Sequence, residues 1–284
     1  MSERGTQLAV GERRGMRYGL GLLAWIVGAL WIFPFAWTVF TSFKNEQDAQ
    51  AQTLHHGLSF GRYSDVSHST TGTLSLATAF TNSLVIVLVS TLIVLALAVP
   101  AAYALAIRPV PKWRDVLFFF ISTKFLPVVA SIFPIYVYAE KWNLIGTRQV
   151  LIILYIGMNL PLAIWMTRSF FMEVPRELIE AAEIDGTSLL NQLRQVILPI
   201  AAPGIAATAL LCLIFAWNEY FYAIQLNFAN ASTMPQWVLG NVSTRGNFLA
   251  KLSAASTIAC LPVILAGWAA QKRMIRGLSM GAIK

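Results

Sequence analysis

Six apolar runs, separated by shorter polar segments, dominate this sequence. A helix that crosses a bilayer needs about 20 mostly apolar residues, at roughly 1.5 Å per residue. Lipid offers no partners to backbone N–H and C=O groups, so such a run crosses it as a helix, whose hydrogen bonds are internal. The runs cover residues of about 18–42, 83–107, 116–139, 150–168, 204–226 and 252–271. The sequence therefore predicts an all-α, polytopic membrane protein with six transmembrane helices.

The composition fits that class and excludes others. Hydrophobic residues make up 57% of the 284 residues and charged residues only 12%, which is too apolar for a soluble domain. The net charge of +8 would suit nucleic-acid binding if the cations shared one polar face, but they cluster at the ends of the apolar runs. We expect no nucleic-acid partner, and a single transmembrane domain over residues 1–284 in contact with membrane lipid.

Lysines and arginines are divided unequally between the two sides of this arrangement. The first run is long enough to span and lacks a clear small-x-small cleavage site, so we interpret it as a retained span. With a cytoplasmic N-terminus, most of the cations lie on the cytoplasmic side, as the positive-inside rule requires. The other side keeps Lys44, Arg62, Lys141, Arg148, Arg245 and Lys251. Six spans then place both termini and the interval 169–203 in the cytoplasm.

The interval 169–203 is itself helix-forming and rich in acid. Pro175 suits a first helical position, and Gly186 suits the left-handed residue that ends a helix. The acids between them are Glu177, Glu180, Glu183 and Asp185. A helix that lies on lipid headgroups would carry lysine and arginine on its polar face instead. We therefore favour a helix that docks onto a protein partner over a helical linker on the lipid surface.

A second helix is expected after the glycine. Thr187 or Ser188 can cap it. Apolar residues then repeat at helical spacing on one face, namely Leu189, Leu190, Leu193, Val196, Ile197 and Ile200. Pro199 and Pro203 punctuate the return to the membrane. The interval is thus predicted to be a helix, a glycine turn and a second helix.

Lys124 and Glu219 lie well inside the predicted spans, away from their ends, where charge is costly. Glu219, in the sequence WNEY, is about fifteen residues, or roughly 22 Å, from the start of the fifth span. It can pair with a neighbouring subunit or a backbone group, or it can hydrogen-bond a polyhydroxylated solute. Lys124 can snorkel to the cytoplasmic interface or line a pathway. Trp217 and Tyr220 can stack against a solute or belong to an aromatic belt.

Residue types that hold metals or perform catalysis are sparse. His55, His56 and His68 all fall in the polar segment after the first run, with no cysteine or ordered acidic partners, so we interpret them as solvated loop residues and expect no metal site. Cys212 and Cys260 lie inside apolar runs, which favours simple packing over a disulfide. No spaced His, Asp or Ser group appears inside the spans, so we expect no catalytic residues and no enzyme.

The sequence EAAEIDGTS, followed by ILP, resembles the EAA signature of permease subunits of bacterial ABC importers, and FMEVPRELI before it strengthens the match. The residues that the resemblance assigns to ATPase coupling are Glu180, Ala181, Ala182, Asp185, Gly186, Leu198 and Pro199. One departure is Leu193, where the family often has phenylalanine; the position remains apolar.

Other segments resemble the carbohydrate-uptake branch of this family, and within it the smaller, six-span permease of maltose-type systems. They are NSLVIVLVSTLIVLALAVPAAYALA, AWNEYFYA and RGLSMGAIK. STKFLPVVASIFPIY and LSAASTIACLPVILAGWAAQ look most like permeases for sugar alcohols such as mannitol and sorbitol. The resemblance implies a type I importer permease fold with a cytoplasmic coupling helix, and a sugar or sugar alcohol as solute. A disaccharide, an oligosaccharide or another sugar derivative is the alternative.

The resemblance also implies a division of labour. The chain lacks the GxxxxGK[ST] phosphate loop, so ATP and Mg²⁺ are expected on a separate ATPase dimer that docks on the EAA loop. A second, homologous permease and a periplasmic or lipid-anchored solute-binding protein complete the expected complex in the bacterial inner membrane. The candidate pathway residues of this chain are Lys124, Trp217, Asn218, Glu219 and Tyr220. An ion-coupled secondary transporter would usually show inverted repeats and broken helices, and no convincing pair is visible.

Overall fold

The apolar runs become helices in the computed structural model of the chain. It describes residues 3–53, 57, 59–67, 70–71, 74–108, 110–227, 231–240 and 248–281, with side chains for 19–53, 57, 59–67, 75–108, 110–227, 231–240 and 248–271. The first elements are α1 (Glu3–Ser42), α2 (Glu46–Gln50), α3 (Gly61–Ser67) and a hairpin of β1 (Thr70–Thr71) and β2 (Leu74–Ser75). The helices that follow are α4 (Leu76–Ala106), α5 (Trp113–Ser122), α6 (Val128–Lys141), α7 (Arg148–Phe171), α8 (Arg176–Ile184), α9 (Leu189–Asn191), α10 (Leu198–Trp217), α11 (Phe221–Leu226), α12 (Met234–Gly240) and α13 (Leu249–Gly281).

Within the described residues, five helices are long and apolar enough to cross a membrane, and a bent pair supplies a sixth span if it is counted as one. The five are Gly19–Ser42, Leu76–Ala106, Arg148–Phe171, Leu189–Trp217 and Leu249–Gln271. The prediction of an all-α, polytopic membrane protein is confirmed. The two-residue strands pair antiparallel, Thr70 with Ser75, and do not change the class.

The predicted third span, about 116–139, is not one straight helix. Its two halves, Trp113–Phe125 and Val128–Lys141, meet at an angle of 91°. The break falls at Leu126 and Pro127, whose ψ angles of 125° and 122° are extended. Proline lacks an N–H and disfavours helical geometry in the residue before it, which accounts for the break at this point.

The predicted second loop helix and fifth span are joined without a break. Leu189–Trp217 forms one helical stretch of 29 residues, which passes from α9 through a π-helical segment, Gln192–Ile197, into α10. Pro199 is the second residue of α10, directly after the π-helical segment, and Pro203 lies further inside the helix; membrane helices tolerate such prolines when neighbouring groups pair with the freed carbonyls. The helix that contains the fifth span therefore begins before these prolines and ends at Trp217, whereas the sequence predicted the span at about 204–226.

The chain divides into two compact units, of which the first comprises Met1–Val66 and Val242–Ile258. Its core holds a buried cation, Lys44, which is 1% exposed. The Lys44 Nζ donates to the carbonyl oxygen of Thr53 at 2.7 Å and lies 4.8 Å and 4.6 Å from the ring centroids of Trp37 and Phe40. A carbonyl and two aromatic faces thus replace part of the water that a buried ammonium loses.

The second unit, Ser67–Asn241 and Ala259–Lys284, contains α4, α7 and α10 packed together. Helices α4 and α7 run in the same direction. The Arg148 Nε donates to Asn82 Oδ1 at 2.8 Å near their starts, and the Arg168 Nε donates to the Leu105 carbonyl at 3.1 Å near their ends. Helix α10 runs the opposite way, because its early residue Gly204 meets Phe170 at the end of α7. We call the end of this bundle that carries Ala106, Phe171 and Leu198 the loop end.

Candidate functional site

The first helix of the EAA loop, α8, is closed by a glycine turn. Gly186 has φ +69°, in the left-handed region that the sequence predicts for it. The backbone N–H of Thr187 donates to the Ala182 carbonyl at 3.1 Å, and that of Gly186 donates to the Glu183 carbonyl at 3.0 Å. This pair of bonds is a Schellman motif, which satisfies the last carbonyls of a helix. At the other end, Pro175 is the N-cap with ψ 130° and not the first helical residue, so the helix begins one residue later than predicted.

Ser188 caps the second loop helix. Its Oγ accepts a hydrogen bond from the backbone N–H of Asn191 at 3.4 Å. The Thr187 hydroxyl instead donates back to the Ala182 carbonyl, so the two candidate caps take different roles. The predicted apolar face is buried only at Leu193 and Ile197. Leu189, Leu190 and Ile200 are exposed.

The EAA residues divide between two faces of the loop. Ala182 is buried, and Leu198 packs against the apolar cluster beneath the loop, so these two help to hold the loop on the bundle. The exposed residues of α8 include Glu180, Ala181 and Ile184, and Asp185, directly after the helix, is exposed too. Gly186 and Pro199 are also exposed.

Ile184 is a residue that the motif did not single out. Its side chain is 87% exposed, at the tip of the helix between Glu183 and Asp185. The signal was present in the sequence: Ile179 and Ala182 mark the buried face of α8, and an isoleucine five residues after Ile179 falls off that face. An apolar side chain left open among acids is typical of a contact for a partner protein.

Two arginines connect the loop end of the bundle. The Arg108 guanidinium, just after α4, lies 2.6 Å from the carboxylate of Glu183 in α8. Both side chains are nearly half exposed, so the ion pair is screened by solvent. Arg168, in the last turn of α7, donates to the Leu105 carbonyl and stacks 4.2 Å from the ring centroid of Trp113. The loop, α4, α5 and α7 are therefore tied together at one place.

The WNEY residues lie where α10 ends and α11 begins. The Glu219 carboxylate accepts hydrogen bonds from the Tyr155 hydroxyl and from the backbone N–H of Tyr222, each at 2.9 Å. Tyr155 is 1% exposed, so this carboxylate is fixed between α7 and α11. The structure thus favours the pairing role for Glu219 over a free acceptor for solute.

The neighbours of Glu219 differ in access. Trp217 is 4% exposed, lies edge-on to Phe80, and donates its Nε1–H to the Ala259 carbonyl at 3.1 Å. It is a packing residue here and offers no open stacking surface, contrary to its selection as a pathway candidate. Asn218 is exposed and donates to the Ile214 carbonyl, whereas Tyr220 is half-buried.

Lys124 occupies the other break in the bundle, between α5 and α6. Its Nζ donates to the carbonyl of Met158 at 2.9 Å, and the side chain is exposed. Met158 lies ten residues after Arg148, about 15 Å along α7, near the middle of that span. This contact holds the ammonium beside the middle of α7 and not beside either of its ends. The histidines considered for metal binding, His55, His56 and His68, lie outside the described residues.

The comparisons with known proteins agree on one group. Residues 98–277 match the family described as "Binding-protein-dependent transport system inner membrane component". A probable ABC transporter permease, y4oR of Sinorhizobium fredii, is 32% identical over 95% of this chain and 97% of that protein. The trehalose/maltose transport system permease MalG of Thermococcus litoralis is 28% identical over 91% and 94%. A chain of a bacterial ABC transporter involved in import of the acidic polysaccharide alginate has the same fold, with a TM-score of 0.71 at 23% identity over 92% of this chain and 97% of that one.

Proposed function

The chain belongs to the family of binding-protein-dependent transport system inner membrane components, and we propose that it forms half of the pathway by which an ABC importer takes up a sugar or sugar alcohol. Proteins of this family are ABC transporter permease subunits and not themselves enzymes. The chain is accordingly a multi-pass protein of the inner membrane. In this proposal residues 1–284 act as one permease domain.

The observation that carries the proposal is the exposed face of α8. It presents Ile184, 87% exposed, beside Glu180 and Asp185 at the loop end of an apolar bundle. A short helix with an apolar tip and an acidic rim fits a groove that is apolar at its centre and basic at its edge. In the proposal this groove belongs to an ATPase subunit, and the loop end faces the cytoplasm with both termini, as the lysine and arginine distribution supports.

Energy enters from outside the chain. ATP and Mg²⁺ bind to the ATPase dimer, whose closure moves α8 as a rigid body and tips the spans from inward-open to outward-open. Glu180, Ala181, Asp185 and Gly186 form the contact and the turn, and Ala182, Leu198 and Pro199 join the loop to the bundle. A second, homologous permease supplies the other half of the pathway. A periplasmic or lipid-anchored binding protein delivers the solute.

The two helix breaks lie on the proposed pathway. Lys124 and Asn218 are exposed, and Tyr220 is half-buried, so each can offer hydrogen-bonding groups to a polyhydroxylated solute. An exposed ammonium near the middle of a span is costly against lipid, which supports a position facing the pathway or the second permease. Glu219 shapes the break between α10 and α11 by holding Tyr155 and Tyr222.

A disaccharide or oligosaccharide is the second candidate solute. It is favoured by the name of the Thermococcus relative, a trehalose/maltose permease that this chain matches over 91% of its length. The polyol assignment stays a prediction drawn from two sequence segments. Measuring which sugar or polyol the cognate binding protein retains distinguishes the two.

Reconstituted vesicles test the proposal. The full complex, with its ATPases, second permease and binding protein, should show solute uptake and ATP hydrolysis that the binding protein stimulates. Glu180→Lys and Gly186→Pro should each abolish both, because one reverses the charge of the docking face and the other removes the left-handed turn. Glu140→Lys, a charge reversal at an exposed residue of α6, is the matched control and should retain activity. Uptake that persists in both loop variants would contradict the coupling role.

A further inference from the structure

A polar side chain is buried in the apolar cluster beneath the EAA loop. Gln192 is 1% exposed, at the start of the π-helical segment that joins α9 to α10. The apolar cluster around the loop contains Tyr103, Phe171, Ile179, Leu193 and Ile197. An amide in such surroundings must find partners, because an unpaired buried polar group is costly.

Gln192 finds those partners on two different helices. Its Oε1 accepts a hydrogen bond of 2.5 Å from the hydroxyl of Tyr103, in α4. Its Nε2 donates at 3.2 Å to the carbonyl of Ile179, in α8. Ile179 and Tyr103 are both buried, at 8% exposure each, so neither bond competes with bulk water. One amide therefore connects the loop helix with a membrane span.

A second tie, between α8 and the residues just after α4, is weaker. The Arg108–Glu183 ion pair also joins the end of α4 to α8, but its side chains are 46% and 43% exposed. Exposed ion pairs contribute little and are screened by salt. Hydrogen bonds in a low-dielectric cluster are stronger and keep their geometry when the helices move together.

We propose that Gln192 is a positioning residue that joins α8 to α4, so that a displacement of α8 by the ATPase is passed to α4 through the Gln192 amide. This inference rests on the proposed function and adds a residue that the EAA motif does not include. Tyr103 is the partner that receives the movement. The amide touches neither solute nor nucleotide and acts only through the two helices.

The test uses the full complex in vesicles and measures solute taken up per ATP hydrolysed. Gln192→Leu and Tyr103→Phe each remove the bond between the amide and α4 with little change in volume. Tyr103→Phe removes one net buried hydrogen bond and should lower the ratio about fivefold; Gln192→Leu also removes the bond to the Ile179 carbonyl and should lower it at least as much. Tyr138→Phe, which removes the hydroxyl of an exposed tyrosine on α6, should leave the ratio unchanged.

The double variant Tyr103→Phe/Gln192→Leu separates coupling from stability. Replacing both partners of a buried bond by apolar groups removes the unpaired atom, so the thermal stability of the complex should recover towards that of the wild type. The uptake per ATP should stay low, because the connection is still absent. A wild-type ratio in Tyr103→Phe, or in a double variant of recovered stability, overturns the inference. Absence of ATP-driven uptake in the wild-type complex would instead refute the proposed function.

Discussion

The ring of Phe170 occupies the space that a side chain on Gly204 would need. A Cβ built on Gly204 would lie 2.1 Å from Cγ of Phe170 and 2.4 Å from one of its Cδ atoms. Cγ and Cδ are the ring atoms closest to the Phe170 backbone. They cannot move aside as the end of a flexible side chain can. The glycine therefore lets α10 and α7 approach closely at the loop end, as small residues do between membrane helices.

Gly204→Ala should destabilise the bundle by about 1–3 kcal/mol, the usual cost of overpacking. Thermal unfolding of the purified chain in detergent measures the change. Gly157→Ala is the matched control, since a Cβ on Gly157 in α7 meets nothing within 4 Å and should be tolerated. Phe170→Leu should recover part of the loss in the Gly204→Ala background. Equal stability of the two alanine variants would show that the contact with Phe170 does not matter.

Gly186→Ala should weaken coupling as well as stability. The residue has φ +69°, where a Cβ costs about 1–2 kcal/mol, although no atom lies near enough to clash. Gly146, with φ +78° and equally open space, is a matched control outside the EAA loop. Gly146→Ala should cost similar stability and leave uptake per ATP unchanged. The expectation fails if both variants uncouple equally, or if Gly186→Asn, which suits the left-handed region, behaves worse than alanine.

Ile184→Ala should reduce affinity for the ATPase without changing the stability of the chain alone. Burying an isoleucine side chain contributes roughly 1.5–3 kcal/mol, so the dissociation constant should rise about tenfold or more. Titration of the detergent-solubilised permease pair with ATPase measures it. Leu239→Ala, at an exposed position of α12 that is not part of the loop, is the control. Unchanged affinity would exclude Ile184 as an anchor.

Glu219→Ala should destabilise the break between α10 and α11 by about 1–3 kcal/mol, because the buried Tyr155 hydroxyl loses the nearer of its two acceptors and keeps only the residue 219 carbonyl at 3.4 Å. Tyr155→Phe should cost less alone and nothing further in the Glu219→Ala background. Thermal unfolding of the four species closes this double-mutant cycle. Additive effects would mean that the two residues act separately.

Hydropathy and loop chemistry alone predict much of this arrangement. The spans follow from runs of apolar residues, and the glycine turn and the Ser188 cap follow from local backbone preferences. The outcome at each proline is different, because neighbouring helices decide it. Pro161 and Pro203 lie inside helices, whereas Pro127 lies at the break before α6 and is the N-cap of that helix. No periodicity in the sequence separates these cases.

The sequence predicted the position of the candidate site but not which of its side chains are buried. A signature motif names the residues that a family shares, and it located the loop. It could not show that Ala182 faces inward while Ile184 faces outward. Gln192 was missed because the apolar pattern of the second loop helix counts only its hydrophobic members, and a single amide on that face reads as an interruption. Gln192 can be buried because its amide pairs with the hydroxyl of Tyr103, which is distant in sequence.

The π-helical segment Gln192–Ile197 also sets how this loop tolerates changes in chain length. An i→i+5 turn encloses one residue more than an α-helical turn. The segment therefore contains one residue more than a continuous α-helix would need at this place. After deletion of the exposed Gln195, the π-helical segment can become an ordinary α-helix. The orientation of α8 relative to α10 is then unchanged. A single-residue deletion within α10 finds no extra residue to remove. It would rotate the preceding part of the chain, including α8, by about 100° about the helix axis. Within the helical stretch Leu189–Trp217, single-residue deletions should therefore be tolerated in the π-helical segment and not in α10.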